Sequence, residues 1–558
     1  MLTREHLELL RQGNDLFSKR SAVESLWQEL AENFYPERAD FTRAMSMGDE
    51  FASNLDTSYP ITARRDLADS FGAMLRRPGT NWFHIGLKRD QKLDEPGRKW
   101  LAMAERVQRR AIYDIDSNFV RTTKEGDNDF ATFGQTVLSS ELAYHPIRGP
   151  ILLHRCWHLR DVVWCMDAYG KIGHVQRKWE PTARELVDTF GEKKCHAEVV
   201  KCLEKEPYKT FDIRHIRMAS TEYKGTAKTP YMSIFIDVQN QHLIEEVGIW
   251  TPYYIIPRWK TVSGSQYAFS PAAVAALPDA RLLQAMTYTL LTAGEYAVEP
   301  ALVGYPDAIK GAIEAFPGGF TPLDATYDER LGEAIRPLMK GGERAIPLGL
   351  KMNQDTRLMI ADAFYLTKLG LPEAGQGGMS PIEVKIRTDE FIRGTLPLFE
   401  PMESEYNGAL MEQNFEILLR AGAFGPPQAI PESLKGQETE LKFESPLRDS
   451  IESLKGQQFI GALQLAIQAA QVDPTALKQV KWSDAHRDAQ HGIGTPPDWM
   501  EDEEVVQAQV EAAAQEAQLV KTGQTVSAAA QIAQQVGDAG QSLKQAFGEE
   551  QKPEKQAA

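Results

Sequence analysis

Apolar residues recur at helical spacing in the central part of the chain. The first run carries its apolar positions at Leu282, Leu283, Met286 and Leu290. Pro278 and Asp279 precede them, and both suit the first turn of a helix, since proline loses no hydrogen bond there and a carboxylate favours the positive helix end. The run stops at Val298, before a proline at position 300. We predict a helix over 279–298, which at ~1.5 Å per residue is about 30 Å long and suits a strut.

A second helical pattern lies over residues 355–369 (DTRLMIADAFYLTKL). Its inward positions are mostly apolar, namely Leu358, Ala361, Phe364 and Leu366. Residues 299–350 separate the two predicted helices and are rich in glycine and proline, as in FPGGF at 316–320. This composition favours an insertion that carries a hairpin over a continuous helix.

A glycine-rich connection follows the second helix at residues 371–380 (LPEAGQGGMS). Its central positions are Glu373, Ala374, Gly375, Gln376, Gly377 and Gly378. Glycine has no Cβ and adopts many backbone conformations, so the composition predicts a mobile loop. An ordinary glycine-rich connection explains the same letters, and the sequence leaves both interpretations open.

Beyond this loop, a long helix is predicted. The serine and proline at 380–381 suit its N-cap and first turn, and the basic residue and glycine at 420–422 suit its end. Pro397 and Pro401 predict a kink or a division. The C-terminal half places apolar residues on one face at Met411, Phe415 and Leu418.

The N-terminal part of the chain reads as helices and the following part as strands. One helix is expected to end before Pro36, and another to run from Pro60 to just before Pro78. From about 142 to 260 the pattern changes to short alternating runs separated by glycine turns, for example 161–166, 171–175 and 231–238. Period-two alternation is typical of antiparallel strands, so we predict an α+β, mainly helical fold.

The composition changes again towards the C-terminus. Residues 459–472 predict one more helix. Residues 501–520 (EDEEVVQAQVEAAAQEAQLV) combine strong helix formers with few apolar positions, and such a helix needs partners to persist. For 501–558 the sequence leaves open a short helical barrel and a disordered tail.

Three segments of the chain are similar to the head-to-tail connector, or portal, family of short-tailed phages. Residues 267–303 resemble the family's Tyr-Gly-x-Gly-Pro, Ala-Leu-Pro-Asp and proline-terminated long helix. Residues 379–426 resemble its Met-Thr-Ala-x-Glu-Val and a long helix that ends Ile-Leu-x-x-Gly. A third match joins 26–42 with 61–85, and the order of the three is the family's order.

The sequence departs from the family pattern at two turns. The letters AFS at 268–270 replace the glycine-rich turn, and SPI at 380–382 replaces Thr-Ala-x. Both changes keep residues that suit a helix start, so they affect the expected turn shape more than the resemblance.

The resemblance implies a portal-type ring subunit with an α/β wing, a two-helix stem, a clip insertion, a helical crown and a C-terminal helix. The implied bounds are wing 1–270, first stem helix 271–298, clip 299–350, second stem helix 351–370, channel loop 371–380, long kinked helix returning to the wing 381–440, crown 441–500 and Ala/Gln-rich C-terminal helix 501–558. In this arrangement the stem helices surround a channel and the loop lines its narrowest part.

The resemblance also implies a function and partners. A dodecameric ring at one capsid vertex passes double-stranded DNA during packaging and ejection without sequence-specific binding, and the tail is assembled onto it. The implied partners are other copies of the chain, the terminase large subunit, the major capsid and scaffolding proteins, and tail adaptor proteins. The expected location is the virion, after assembly in the host cytoplasm.

The formal net charge of −16 changes how such a role is understood. Proteins that hold nucleic acid by neutralising phosphates need a basic surface, which this composition does not favour. A translocation channel has the opposite requirement, because an acidic lining repels phosphates over the ~8–10 Å that salt leaves unscreened. The same charge could serve solubility alone, and both interpretations remain open here.

The candidates for catalytic or metal chemistry are weak. Four cysteines and three nearby histidines, Cys156, Cys165, Cys195, Cys202, His154, His158 and His196, lack the spacing of a zinc knuckle and are expected as ordinary buried thiols and strand residues. The acidic pairs Asp114 with Asp116 and Asp127 with Asp129 are expected as solvated loop or helix-end charges. Arg76 and Arg77 are interpreted as a basic helix end.

No nucleotide-binding loop, hydrolase elbow or zinc-protease motif occurs in the sequence, so we expect no enzyme, no catalytic residue, no cofactor and no metal. No secretory leader or membrane-length apolar run is recognised, and a reducing compartment is expected. A non-viral homo-oligomeric interaction scaffold is the alternative function, and an enzyme of unknown type comes third.

Overall fold

The computed structural model describes residues 2–46, 48–76, 81–87, 95–145, 147–223, 228–298, 301–304, 335–337, 342–369, 400–435, 439–443, 446–470 and 480–492, with single positions elsewhere. The chain divides into two compact units, Met1–Arg448 and Asp449–Ala558. The predicted channel loop lies outside the described residues, as do most of the predicted clip and of the C-terminal tail. Within the described ranges, no helix has the length and apolarity needed to cross a membrane.

Five helices form the N-terminal part of the first unit. They are α1 (Arg4–Lys19), α2 (Ser21–Phe34), α3 (Tyr59–Leu75), α4 (Glu95–Ile112) and α5 (Phe119–Phe133). Helix α2 ends just before Pro36, and α3 carries Pro60 in its first turn, where a missing N–H costs nothing. Both helices that were predicted from the proline positions are therefore confirmed.

The middle of the first unit contains two antiparallel sheets. Strands β2 (Val137–His145), β3 (Gly149–Trp157) and β9 (Tyr254–Ile255) form one sheet in the order β3-β2-β9. Strands β4 (Val162–Met166), β5 (Ile172–Trp179), β6 (Ile213–Ala219), β7 (Tyr231–Asp237) and β8 (His242–Ile249) form the other in chain order. All their pairings are antiparallel, as the alternating runs predicted.

Helices cover both faces of the five-stranded sheet. Ile213 and Phe235 pack under α6 (Ala183–Phe190) and α7 (Ala197–Lys205), while Ile216 and Ile234 pack with Leu9 of α1 on the other face. Neighbouring residues of one strand thus serve two different cores, because side chains of a strand alternate between its faces.

A long insertion follows the sheets. It contains α8 (Leu277–Val298), the short antiparallel strands β10 (Leu302–Gly304) and β11 (Ile335–Pro337), α9 (Gly342–Ala363) and α10 (Leu366–Leu369). The chain then returns through α11 (Ala409–Arg420) to β12 (Thr439–Phe443), which pairs with β1 (Phe83–Leu87). This pairing joins the returning chain to the N-terminal region.

Helix α9 differs from its prediction at both ends. It begins at Gly342, well before the predicted start at Asp355, and continues through Pro347. Proline in the sixth position of the helix removes one backbone hydrogen bond, and the rest of the helix and its neighbour maintain the structure. At the other end Tyr365 adopts φ +59°, which separates α9 from α10 inside the predicted single helix.

The second unit contains most of α12 (Pro446–Ala470) and all of α13 (Trp482–Gly492). Helix α12 includes the predicted start at Phe459 but begins much earlier in the chain. The Phe459 ring lies 6.1 Å from the Trp482 ring and 5.3 Å from the His486 ring, so an aromatic cluster joins the two helices.

Candidate functional site: the helical hairpin

Helices α8 and α9 form an antiparallel pair, which we call the helical hairpin. The Asn353 side chain donates a 3.0 Å hydrogen bond to the Thr287 hydroxyl. A Cβ at Gly349 would lie 2.6 Å from a methyl carbon of Leu290, so the helices are in close contact there. Residues near the end of α8 therefore contact residues near the start of α9, as in an antiparallel helix pair whose two outer ends join the same body.

The base of the hairpin is fixed in the main hydrophobic core. Leu283, Ile360 and Phe364 are fully buried, and the Phe364 ring stands 5.4 Å from Phe34 of α2 in an edge-to-face contact. Gln284 accepts hydrogen bonds from the backbone N–H groups of two residues at 56–57 and donates one to the carbonyl of Thr57. The body therefore holds the first turns of α8 through both apolar and polar contacts.

Beyond this base, the hairpin exposes many large apolar side chains. They are Tyr288, Leu291, Tyr296 and Val298 on α8 and Leu348, Leu350, Met352, Leu358 and Met359 on α9. Tyr288 is 63% exposed and Leu291 56% exposed. Scattered exposed apolar residues are normal, but this many on one helix pair is typical of a surface that contacts another molecule. We call this set the exposed hairpin face.

The predicted apolar stripe of α8 divides into three environments. Leu283 lies in the core, Met286 and Leu290 are half-buried, and Leu282 is 48% exposed. On α9, Phe364 is buried whereas Leu358 is exposed. Asp279 lies half-buried in the first turn of α8, as its helix-start chemistry predicted. Within one chain, the apolar stripe is therefore buried only in part.

Sequence reasoning missed the aromatic residues of the exposed hairpin face. Tyr288 and Tyr296 lie outside the predicted stripe. A signal was present, because α8 carries apolar residues around its whole circumference between Leu282 and Val298. A helix that is apolar all round requires burial on more than one side.

Two buried ion pairs contradict the expectation that Asp127 and Asp129 are solvated charges. Asp127 pairs with Arg76, and Asp129 accepts a 3.0 Å hydrogen bond from Arg38. Both carboxylates are buried, and their partners Arg76 and Arg38 lie on other segments of the first unit. The Arg76 guanidinium also donates a 2.8 Å hydrogen bond to the side-chain amide oxygen of Asn407. Its interpretation as a simple basic helix end is therefore incomplete.

Burial raises the pKa values of acidic groups in this region. It raises the pKa of the Asp127 carboxyl, and the Arg76 guanidinium opposes that rise. Burial also raises the pKa of the Cys156 thiol, with Asp129 adding to the effect. Thiols in such surroundings stay protonated and unreactive. The expectation of buried thiols is confirmed for Cys195, whereas Cys156, Cys165 and Cys202 are half-buried residues.

The histidines near the cysteines face different neighbours. His154 is buried between the Ser117 carbonyl at 3.1 Å and the Asn414 side chain at 3.2 Å, and burial lowers its pKa to about 4. His158 instead pairs with Asp40. Within the part of the chain that the structure describes, no three His, Cys, Asp or Glu side chains are grouped so that they could hold a metal ion.

The fold thus presents an α+β body with an inserted antiparallel helix pair that exposes large apolar side chains. Residues 7–500 match the family described as bacteriophage head to tail connecting protein, and the chain belongs to that family. The resemblance inferred from the sequence is confirmed at this level.

Individual relatives agree with this assignment. The probable portal protein of Bordetella phage BPP-1 is 24% identical over 506 residues, which cover 86% of this chain and 86% of that relative. Among solved structures, the virion of the native gene transfer agent (GTA) particle contains a chain 10% identical to this one. The likeness covers 74% of this chain and 89% of that chain at a TM-score of 0.33. The protein is a head-to-tail connector of the portal type, a structural component of a phage virion.

Proposed function

We propose that the protein assembles into a dodecameric ring at one vertex of the capsid. Double-stranded DNA would pass through the ring during packaging and ejection, and tail adaptor proteins would dock onto it. The observation that carries this proposal is the exposed hairpin face in a chain of this family. The non-viral scaffold is not favoured, because the family match covers residues 7–500.

Burial of part of the exposed hairpin face between copies would favour assembly. Covering one large apolar side chain contributes roughly 1.5–3 kcal/mol, and association costs on the order of 4–15 kcal/mol in lost freedom of motion. Nine such side chains are available on the hairpin. A ring uses the same contact at every junction, so each copy covers both of its neighbours with one kind of interface.

The charge of the chain supports passage of DNA rather than binding. With a net charge of −16 per copy, a ring repels phosphates wherever acidic side chains line its channel. The motor that drives packaging would be a separate ATPase, the terminase large subunit, which docks transiently. Scaffolding and major capsid proteins would surround the ring during head assembly in the host cytoplasm.

Electron microscopy of the purified protein tests the assembly. Class averages of the wild type are expected to show rings with about twelvefold symmetry and a central channel, as the family resemblance implies. A Tyr288→Asp, Leu291→Asp double variant is expected to remain folded but to lose the rings, since two charges would be buried at each junction.

The matched control is Tyr169→Asp, which alters an exposed tyrosine in the turn between β4 and β5. This control is expected to form rings like the wild type. Compact monomers or dimers of the wild type, or intact rings of the hairpin double variant, would contradict the proposed role of the exposed hairpin face.

A further inference from the structure

The turn between β2 and β3 presents apolar side chains to solvent, and we call Tyr144, Ile147 and Arg148 the strand tip. Ile147 is 89% exposed and Tyr144 is 78% exposed. The His145 ring accepts hydrogen bonds from the backbone N–H groups of Ile147 and Arg148, at 3.2 and 3.3 Å. The Arg148 guanidinium also pairs with Asp116, which lies in the helical turn before α5. The strand tip is therefore held in shape while its apolar side chains have no cover, as in a surface that contacts another molecule.

The segment between α2 and α3 forms a groove of about 660 Å³ against α2 and α8, which we call the loop groove. Its apolar lining includes Met45, Phe51 and Leu55, and Phe51 is 48% exposed. Asp49 and Glu50 lie exposed on its rim. The groove thus combines an apolar interior with acidic groups at its edge.

Both ends of the segment that forms the loop groove are fixed by glutamine side chains. The Gln28 side chain of α2 donates a 2.9 Å hydrogen bond to the carbonyl of Ala39 and accepts one of 2.9 Å from the Phe41 N–H. At the other end, Gln284 of α8 bonds the backbone of residues 56–57. The groove is therefore formed before any partner arrives, which lowers the cost of binding.

The strand tip and the loop groove are associated with opposite ends of α5. Asn118, the N-cap of α5, follows directly after the turn that holds Asp116. At the other end of α5, the Phe133 ring lies 5.2 Å from the ring of Phe41, which immediately precedes the segment of the groove. A helix of 15 residues is about 22 Å long. Two different surfaces at separate places on one chain allow head-to-tail contacts, which close into a ring when the rotation fits.

The charges of the two surfaces are complementary. Arg43 and Arg281 in the groove lining are each paired with a glutamate of α2. Asp49 and Glu50 form no ion pair within the described ranges, so the groove rim has an excess of negative charge. The Arg148 side chain is 58% exposed in spite of its ion pair, and it places a positive charge beside Ile147. Each surface thus offers an apolar group next to a charge of opposite sign, which favours one orientation of contact.

We propose that the strand tip of one copy inserts Ile147 into the loop groove of the neighbouring copy and brings Arg148 to Asp49 and Glu50. This contact rests on the proposed ring and adds to each junction a second interface, in the body, beside that of the exposed hairpin face. Every copy offers its strand tip to one neighbour and its loop groove to the other. The body thereby sets the direction in which copies follow one another around the ring.

Cross-linking of the full-length protein with a short bis-maleimide tests the contact. A chain that carries both Ile147→Cys and Phe51→Cys is expected to give a ladder of dimers, trimers and larger species in denaturing gels. The matched control combines Tyr169→Cys with Phe51→Cys, since Tyr169 is also 89% exposed but lies in the turn between β4 and β5. This control is expected to give no more cross-linking than the wild type, which reports the background from the native cysteines.

The outcomes separate this contact from the ring itself. Rings in micrographs without a ladder, or with the same ladder from the control pair, would overturn the contact and leave the proposed ring in place. A ladder from protein that forms no closed rings would support the contact and contradict the ring. Cross-linked dimers from Ile147→Cys alone would show that strand tips meet each other, which also overturns the contact.

Charge reversal tests the match between Arg148 and the groove rim. Arg148→Glu is expected to raise the protein concentration for half-maximal ring formation about 3- to 10-fold, because an attraction becomes a repulsion at every junction. Addition of Glu50→Arg should restore assembly to within about 2-fold of the wild type. Arg184→Glu, in an exposed ion pair of α6, should change it less than about 2-fold. Absence of rescue, or an equal effect of Arg184→Glu, would overturn the charge match.

Discussion

Replacement of Asp127 by alanine is expected to destabilise the first unit strongly. The carboxylate and the Arg76 guanidinium are both nearly inaccessible to solvent, at 3% and 4% exposure. Without the Asp127 carboxylate, the positive charge of Arg76 stays buried. Of the described hydrogen bonds of its guanidinium, the one to the Asn407 side chain remains. Breaking a buried pair in this way costs about 3–5 kcal/mol. The cost arises from the unpaired charge and not from a large intrinsic strength of the ion pair.

The double variant Arg76→Met, Asp127→Leu is expected to be much more stable than Asp127→Ala. Both charges are then replaced by apolar groups of similar size, so no unpaired charge remains in the core. Such replacements are often neutral or stabilising. We expect the double variant to recover most of the stability that Asp127→Ala loses, with a net change within about 2 kcal/mol of the wild type.

Thermal unfolding at one fixed protein concentration measures the difference, since assembly also raises apparent stability. At about 2–4 °C per kcal/mol for large domains, a loss of about 3–5 kcal/mol in Asp127→Ala should lower the midpoint by about 6–20 °C. Asp116→Asn, which removes an exposed ion pair with Arg148, should shift it by less than about 2 °C. A double variant as unstable as Asp127→Ala would refute the reasoning, because the loss would then not come from an unpaired charge.

Three further expectations follow from the same structure. Leu283→Ala should lower the free energy of unfolding in urea by about 2–5 kcal/mol, because Leu283 is fully buried. The neighbouring Leu282→Ala should lower it by less than about 1 kcal/mol, since Leu282 is exposed, and equal losses would contradict this expectation. The pKa of His154 is about 4 in the folded state and 6.5 in the unfolded state. The stability that depends on neutral His154 is therefore complete above pH 6.5 and is lost as the pH falls towards 4, a change of about 3 kcal/mol in the free energy of unfolding. His154→Gln should flatten this pH dependence of the unfolding midpoint and His486→Gln should not. Deletion of residues 374–378 should leave rings intact in micrographs but impair DNA packaging or retention, and loss of the rings would refute the channel-loop assignment.

The helices and strands of the body were predictable because their signals are local. Pro36 and Pro60 mark a helix end and a helix start, and the alternating runs near 161–166 and 231–238 identify two strands that the structure contains. Proline geometry and the two-residue period of a strand act within a few neighbouring residues. A single sequence contains that information.

The burial of charged residues was not predictable in the same way. Arg76, Asp127 and Asn407 meet in one network although they lie far apart in the chain. Nothing in the letters around Asp127 distinguishes a solvated helix charge from a paired one. Leu282 and Leu283 show the same limit for apolar residues, since spacing identifies an apolar helix but not which side meets the core.

The packing of α8 against α9 separates the evolution of the body from that of the segment between the two helices. The hydrogen bond between Asn353 and Thr287 and the close approach of Gly349 to Leu290 fix the spacing of the two helices. The sequence between α8 and α9 can therefore lengthen, shorten or be exchanged without altering the distance that its ends must span, and added loop length costs little. A graft of the 299–341 segment from a related connector onto this body should therefore fold.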